Sequence, residues 1–272
     1  MLINDHFQNF KVYNIPRAQL VIADIPYNVG KNAYGSNPAW YIDGDNKNGE
    51  SELAGKEFFD TDKNFKPAEF MHFCSKLLKK EPKEKNQAPA MIVFCGFEQQ
   101  MYLIELARRY GIKKYINLVF RKNYSAQVLK ANMRIVGNAE YGLLLFRDKL
   151  PKFRNEGKMI FNIMDYETDE TNQLYRKIHP TQKPIKLLEK LIRIFTDEGD
   201  VVIDPVAGSG STLIAAENLN RKAYGFEIKK NFFKEANEWI EKNRTAREEI
   251  KKYGFSNTLI KENHPSLFDL AF

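Results

Sequence analysis

Leu20-Val21-Ile22-Ala23-Asp24-Ile25-Pro26-Tyr27 is a short apolar run that ends on an acid, a proline and an aromatic ring. Four consecutive apolar residues, β-branched at Val21 and Ile22, predict a strand covered on both faces, as in a parallel sheet, rather than a half-exposed one. Open α/β sheets bind their ligands at the C-terminal ends of such strands. Asp24 to Tyr27 is therefore the first candidate site.

The chemistry that this corner suits is attack by an amino group on a flat ring. The lone pair of such an amine is delocalised, so an acceptor that bonds its N–H favours a tetrahedral, nucleophilic nitrogen. The Asp24 carboxylate and the Ile25 carbonyl could each accept one N–H. Pro26 fixes φ and holds both acceptors, and Tyr27 offers a face for stacking. Taken alone, the four residues also fit a plain strand-to-loop turn in which Asp24 caps a helix and Tyr27 is core.

Working outward, Leu2-Ile3-Asn4-Asp5 looks like a clipped strand that also ends on an acid. Asn28 to Lys66 has little periodicity, contains five glycines (Gly30, Gly35, Gly44, Gly49, Gly55) and carries Tyr34, Trp40 and Tyr41. This length predicts a mobile active-site loop, with a disordered insertion as the alternative. A helix is expected from Pro67 to Lys80, a buried strand over Ala90–Cys95, and a helix from Glu98 to Tyr110 stopped by Gly111. Strands follow at about 114–120 and 140–146. Residues 147–178 hold no long periodic element, and the charges of Arg147 to Lys158 suit a solvated face as well as phosphate contact. A helix over Ile185–Phe195, a strand over Asp200–Asp204, a helix over Leu213–Leu219, a strand over Lys222–Glu227 and an amphipathic helix from Asn231 to about Lys252 complete the pattern. Alternating helices and buried strands predict an α/β fold with a doubly wound, mostly parallel sheet.

The composition suits that fold. The 272 residues are 43% hydrophobic and 28% charged, enough for one domain with insertions. No apolar stretch spans a bilayer and no signal-like segment opens the chain, which predicts a cytoplasmic protein that avoids membranes. The net charge of +7 is compatible with a polyanionic partner and equally with simple solubility. Cys74 and Cys95 have neither disulfide nor zinc spacing and read as buried thiols.

The second candidate site is Asp204-Pro205-Val206-Ala207-Gly208-Ser209-Gly210-Ser211-Thr212, a strand end, a glycine bend and a helix start. Gly208 and Gly210 allow the backbone to turn sharply and approach a ligand, and the helix N-terminus offers unpaired N–H groups. Ser211 and Thr212 add hydroxyls. Glu227 ends the following strand, where an acid commonly bonds ribose. A dinucleotide is one reading, but the third glycine of its fingerprint is missing and Asp204-Pro205 precedes the turn. A nucleotide-hydrolase phosphate loop is excluded, because no lysine precedes Ser211-Thr212. S-adenosylmethionine fits better, with Asp204 on its ammonium, the helix start on its carboxylate and Glu227 on its ribose.

Asp24-Ile25-Pro26-Tyr27, His179-Pro180-Thr181-Gln182-Lys183-Pro184 and the glycine bend, in this order, resemble the three motifs of the beta-class DNA amino-methyltransferases. The resemblance implies a Rossmann-like sheet in circularly permuted order, so that the strand before Asp5 lies beside the one ending at Glu227 and Asp5 faces the cofactor's adenine. It further implies that Thr181 and Lys183 hold the cofactor's methionine end, and that Asp24, Ile25, Pro26 and Tyr27 hold a flipped base. Ile25 replaces a proline whose carbonyl does the work, and Val206 replaces a phenylalanine that would pack near the cofactor.

On this resemblance residues 1–120 and 179–252 form one catalytic domain, 121–178 carry the end of the sheet plus the inserted DNA-recognition segments and 253–272 are a tail. Arg121, Lys122, Lys130 and Arg134 are the expected DNA contacts. Asp at position 24 looks like the adenine-N6 members, with cytosine-N4 as the alternative. Ring-carbon methylation would need a nucleophilic cysteine in a Pro-Cys setting, which neither Cys74 nor Cys95 has. Rival classes are a nicotinamide-dependent oxidoreductase, a methyltransferase acting on another substrate, and a DNA-binding subunit without catalysis. A homodimer is a further arrangement open to such a chain. Around Leu267 and Phe268 the tail resembles peptides that dock on replication clamps, with a helix packed on the body as the alternative.

Overall fold

The structure is a computed structural model that describes residues 1–27, 65–122, 127–130, 135–166 and 182–253. Ten strands and five α-helices occur among the described residues. They are β1 (Leu2–Ile3), β2 (Leu20–Asp24), α1 (Pro67–Leu77), β3 (Ala90–Cys95), α2 (Gln100–Arg109), β4 (Lys114–Lys122), β5 (Gln127–Lys130), β6 (Ile135–Gly137), β7 (Ala139–Phe146), β8 (Ile163–Tyr166), α3 (Ile185–Phe195), β9 (Val201–Asp204), α4 (Ser211–Asn218), β10 (Lys222–Phe226) and α5 (Lys230–Tyr253). Short 3-10 helices lie at Phe7–Tyr13 and Phe97–Gln99.

Eight of the strands form one sheet in the order β1-β10-β9-β2-β3-β7-β4-β8. The first strand of the chain pairs with the last, Leu2 opposite Gly225 and Ile3 opposite Phe226, which is the permuted order expected. β1, β10, β9, β2 and β3 are parallel neighbours, so all five C-terminal ends lie along one edge.

Continuous apolar runs become two cores because the pleat sends alternate side chains to opposite faces. Leu20 and Ile22 of β2, Ile92 and Phe94 of β3, and Leu144 of β7 face α3, α4 and α5. Val21 and Ala23, Met91 and Val93, and Leu143 face α1 and α2. α3 brings Ile185, Leu188, Leu191 and Ile192 to the first face at helical spacing, and all four are buried. α4 is closed in on almost every side: Ser211 to Ala216 are all buried, which is why it is rich in small residues.

Two features were not specified by the sequence reading. β7 runs antiparallel to both of its neighbours. Between β4 and β7 the described residues form the antiparallel pair β5–β6 and no covering crossover helix of the kind that a parallel return uses, in keeping with an antiparallel pairing. β8 lies within residues 147–178, where the sequence shows no long periodic element, and extends the sheet beside β4, from Val119 opposite Ile163 to Lys122 opposite Tyr166. Its four residues are too few for a periodic signal.

Among the described residues no helix is long and apolar enough to cross a membrane, and no cluster of acids, histidines or cysteines could hold a metal ion.

Candidate functional site

Acids stand at the C-terminal ends of four neighbouring strands. Asp5 lies just past β1, Glu227 just past β10, Asp204 ends β9 and Asp24 ends β2. Since hydrogen-bonded strands are about 4.8 Å apart, the acid-and-ring corner and the glycine bend are side by side on one edge.

At the bend, Val206 N–H donates to Asp204 Oδ1 at 3.0 Å, and Ala207 N–H ties the loop to the Phe226 carbonyl at 2.8 Å. Gly208 and Gly210 adopt φ values of 50° and 79°, in the left-handed region that favours glycine. Gly210 also has close neighbours, since a Cβ there would stand 2.9 Å from Ile240 Cδ1. Gly208 N–H donates to Glu227 Oε2 at 2.9 Å, and Lys229 N–H donates to Oε1 at 2.7 Å. Burial pushes the Glu227 carboxyl up, against these two backbone donors.

Asp204 is buried, and burial pushes its carboxyl up to about 7 although the Thr212 hydroxyl and the Val206 N–H bond it. The nearby carboxylates of Asp24 and Glu227 push it further the same way. An acid in this state is electrostatically incomplete, and a cationic group placed against it would restore the charged form. Thr212, expected to reach a ligand, spends its hydroxyl on Asp204, and Ser211 lies buried behind the bend. Pro205 is buried as well. Asp5 is more open: Tyr13 Oη donates to it at 2.7 Å and Asn9 Nδ2 at 2.9 Å. The Tyr13 bond, then the Asn9 bond, holds its carboxyl below the usual range.

The turn after β2 is fixed from two sides. Ile25 N–H donates to the Phe94 carbonyl at 3.2 Å. Gln99 donates through Nε2 to the Pro26 carbonyl at 2.8 Å and accepts from Gly96 N–H at 2.9 Å. The Pro26 carbonyl is thereby taken up, and the Asp24 carboxylate and Tyr27 ring remain at the corner.

Lys183, which the resemblance assigns to the cofactor's methionine end, lies in this corner. Its ammonium donates to Asp24 Oδ2 at 2.7 Å and to Tyr27 Oη at 3.3 Å, and it is 3.3 Å from Glu140 Oε2. Two partly buried carboxylates draw it there. Burial by itself would pull the Lys183 ammonium down, but the charges of Asp24 and Glu140 hold it above its ordinary value. Burial pushes Asp24 up, and Lys183 offsets only part of that push. Asp24 Oδ1 is closed off from solvent and makes no hydrogen bond among the described residues. Cys95 at the end of β3 is pushed up to about 12 by burial and then by Asp24. Cys74, also buried, lies well above its ordinary value. Both stay as thiols at neutral pH, and neither is suited to nucleophilic attack.

Lys122 requires a correction. It was expected to meet DNA, but its ammonium pairs with Glu140 Oε1 and its side chain is only 10% exposed. A charge turned inward onto a carboxylate is not presented to a phosphate. Arg121 is 61% exposed and pairs with Asp165, its Nη2 at 2.8 Å from Oδ2. Thr181, Arg134, Leu267, Phe268, the loop over residues 28–64 and the Lys130 side chain lie outside the described residues. Sequence reasoning missed Glu140 and Gln99. Glu140 left one signal, an acid near the start of the apolar strand Ala139–Phe146, but its partners come from distant parts of the chain.

Residues 18–238 match the family of DNA methylases of the N6/N4 type. The chain is 36% identical over 92 residues to Type II methyltransferase M2.DpnII of Streptococcus pneumoniae, a match that spans 34% of each protein. It is 26% identical over 240 residues to DNA adenine methyltransferase YhdJ of Escherichia coli strain K12, covering 79% of this chain and 73% of that protein. The crystal structure of the M1.HpyAVI–SAM complex superposes with a TM-score of 0.60 at 21% identity, over 88% of this chain and 98% of the other. At that identity the superposition establishes a common fold.

Proposed function

The chain belongs to the N6/N4 family of DNA methylases, and on that premise we propose that it transfers a methyl group from S-adenosylmethionine to the N6 amino group of an adenine flipped out of DNA. The observation that carries this reading is the adjacency of the two corners. Asp24 and Asp204 end neighbouring parallel strands, so an amine held at one lies beside a ligand held at the other.

The residues of the bend fit the cofactor. Asp204, buried and pushed up by that burial, would receive its ammonium, the N–H groups at the start of α4 its carboxylate, Glu227 its ribose and Asp5 its adenine. Thr181 is assigned to the same ligand. Bound, S-adenosylmethionine supplies a methyl carbon made electrophilic by its sulfonium. The chain's own residues act on the amine. Asp24 accepts one N–H and the Ile25 carbonyl the other, stabilising the charge that develops on nitrogen. Pro26 fixes the backbone between them, and Gln99 fixes Pro26. Tyr27 stacks on the extruded base and offsets part of the cost of unstacking, for a base that does not reach the site from within a duplex. Rate enhancement rests mainly on alignment.

Asp at position 24 and the name of the E. coli relative favour adenine-N6. Cytosine-N4 is the second reading, since the family covers both. Arg121, Lys130 and Arg134 are assigned to DNA.

The chain incubated with unmethylated DNA and methyl-labelled cofactor, followed by digestion to nucleosides, is expected to place label in N6-methyl-2′-deoxyadenosine. Label in N4-methyl-2′-deoxycytidine would move the chain to the second reading, and no label in any nucleoside would overturn both. Asp24→Ala is expected to abolish transfer while leaving cofactor affinity within about threefold, an interaction used chiefly in the transition state.

A further inference from the structure

Asp24 is the end of a chain of alternating charges that the reaction outlined above does not use. From β4, Lys122 pairs with Glu140 of β7; Glu140 pairs with Lys183, and Lys183 with Asp24. The side chains are 10%, 14%, 6% and 24% exposed in that order. The Lys183 ammonium also stands 5.4 Å from the centre of the Tyr27 ring and 5.1 Å from that of Phe94. This closed set of charges meets Asp24 on one oxygen only. Oδ2 accepts from Lys183, while Oδ1 is buried and unbonded among the described residues.

A buried acceptor without a partner costs about 1–3 kcal/mol, so a site retains one where a partner arrives during function. Oδ1 is the oxygen left for the amine N–H. Its aim depends on Oδ2 being held, and a lysine stem has too many rotamers to hold a carboxylate by itself. The second carboxylate, Glu140, removes that freedom.

We propose that Glu140, acting through Lys183, is a positioning residue for methyl transfer: it locks the ammonium that grips Asp24 Oδ2 and so presents Asp24 Oδ1 to the target amine. This rests on the function proposed above. Nothing in it requires Glu140 to touch substrate or cofactor. Among the described residues the titratable groups that face Asp24 are Lys183, Glu140, Tyr27, Cys95 and Asp204. Lys183 is held charged by Asp24 and Glu140 against burial. Loss of the Glu140 charge therefore lets Lys183 lose its proton at lower pH, and loss of the Lys122 charge does the reverse.

The test is single-turnover methyl transfer as a function of pH, at saturating DNA and cofactor, in wild type, Glu140→Gln, Glu140→Asp and Lys122→Met, with circular dichroism to verify folding. Glu140→Gln is expected to slow transfer about ten- to a hundredfold, the scale of a small misplacement, with DNA and cofactor affinities within about threefold. Its alkaline limb is expected to move to lower pH. Glu140→Asp, which keeps the charge, is expected to recover that limb, and Lys122→Met to move it to higher pH. A folded Glu140→Gln with wild-type rate and limb, or a loss seen only in DNA affinity, overturns the proposal. Should Glu140→Gln not fold, an unmoved limb in folded Lys122→Met overturns it. Absence of transfer by the wild type overturns the proposed function and this inference with it, whereas an active wild type beside an unaffected variant overturns this inference alone.

Discussion

Asp204 is the residue at which folding and ligand binding conflict most openly. Its carboxyl is lifted from an ordinary 3.8 to about 7 by burial. Such a group favours the folded chain only while protonated. As pH rises from about 4 through 7, the unfolded chain loses this proton first and the folded state loses stability. Asp204→Asn removes that ionisation, so it is expected to raise Tm at pH 8, by roughly 2–4 °C for each kcal/mol gained, and to change it little at pH 4. The same variant is expected to lose most of its cofactor affinity, measured by calorimetry. In the wild type that affinity is expected to weaken as pH falls through about 7, when the acid proposed to bind the ammonium becomes neutral. A Tm gain equal at both pH values would refute this account of Asp204.

At the scale of the element, strand–bend–helix units hold the chemistry in place. The β9–α4 unit turns at Gly210, with φ at 79° and Ile240 just behind it. An L side chain in that conformation costs roughly 1–2 kcal/mol, and the Ile240 side chain must also shift. Gly210→Ala is expected to lower stability to denaturant by about 1–3 kcal/mol and to weaken cofactor binding by displacing the start of α4. Wild-type affinity together with wild-type stability would show that the bend tolerates a Cβ. The β2 unit is braced differently, by a side chain from the neighbouring strand's own turn: Gln99 joins Gly96 to Pro26. Two corners that must face each other are thus built by separate local devices, glycine conformation in one and a side-chain tie in the other.

At the scale of the molecule, the sheet brings together groups far apart in the chain; Lys183 and Asp24 are separated by 159 residues. Its far side carries the expected DNA-binding segment, and the structure sorts the two basic residues that end β4. Arg121 points outward and Lys122 inward onto Glu140. Removing a side chain that neutralises one phosphate reduces the slope of log affinity against log salt by about 1. Arg121→Ala is expected to lower the slope by that amount. Lys122→Ala is expected to leave the slope unchanged while reducing stability, because it strips a cation from a mostly buried pair. Fluorescence anisotropy on one duplex over a range of salt concentrations measures both, and a reduced slope for Lys122→Ala would return that residue to the DNA interface.

The order of motifs, the buried strands, the glycine bend and the acids at the ends of β2 and β9 and just past β10 were legible in the sequence, because each follows from local rules: apolar runs, turn chemistry and helix starts. β8 was not, being too short for a periodic signal, and the reversed direction of β7 was not, because strand direction follows from the connection made. The partners of the charged side chains were decided by tertiary structure alone. Lys183 joins Asp24, and Lys122 joins Glu140 rather than solvent. Burial makes an unpaired charge so unfavourable that each lysine goes to whichever carboxylate the folded sheet sets beside it, and that neighbour is fixed by strand order, which local sequence does not encode.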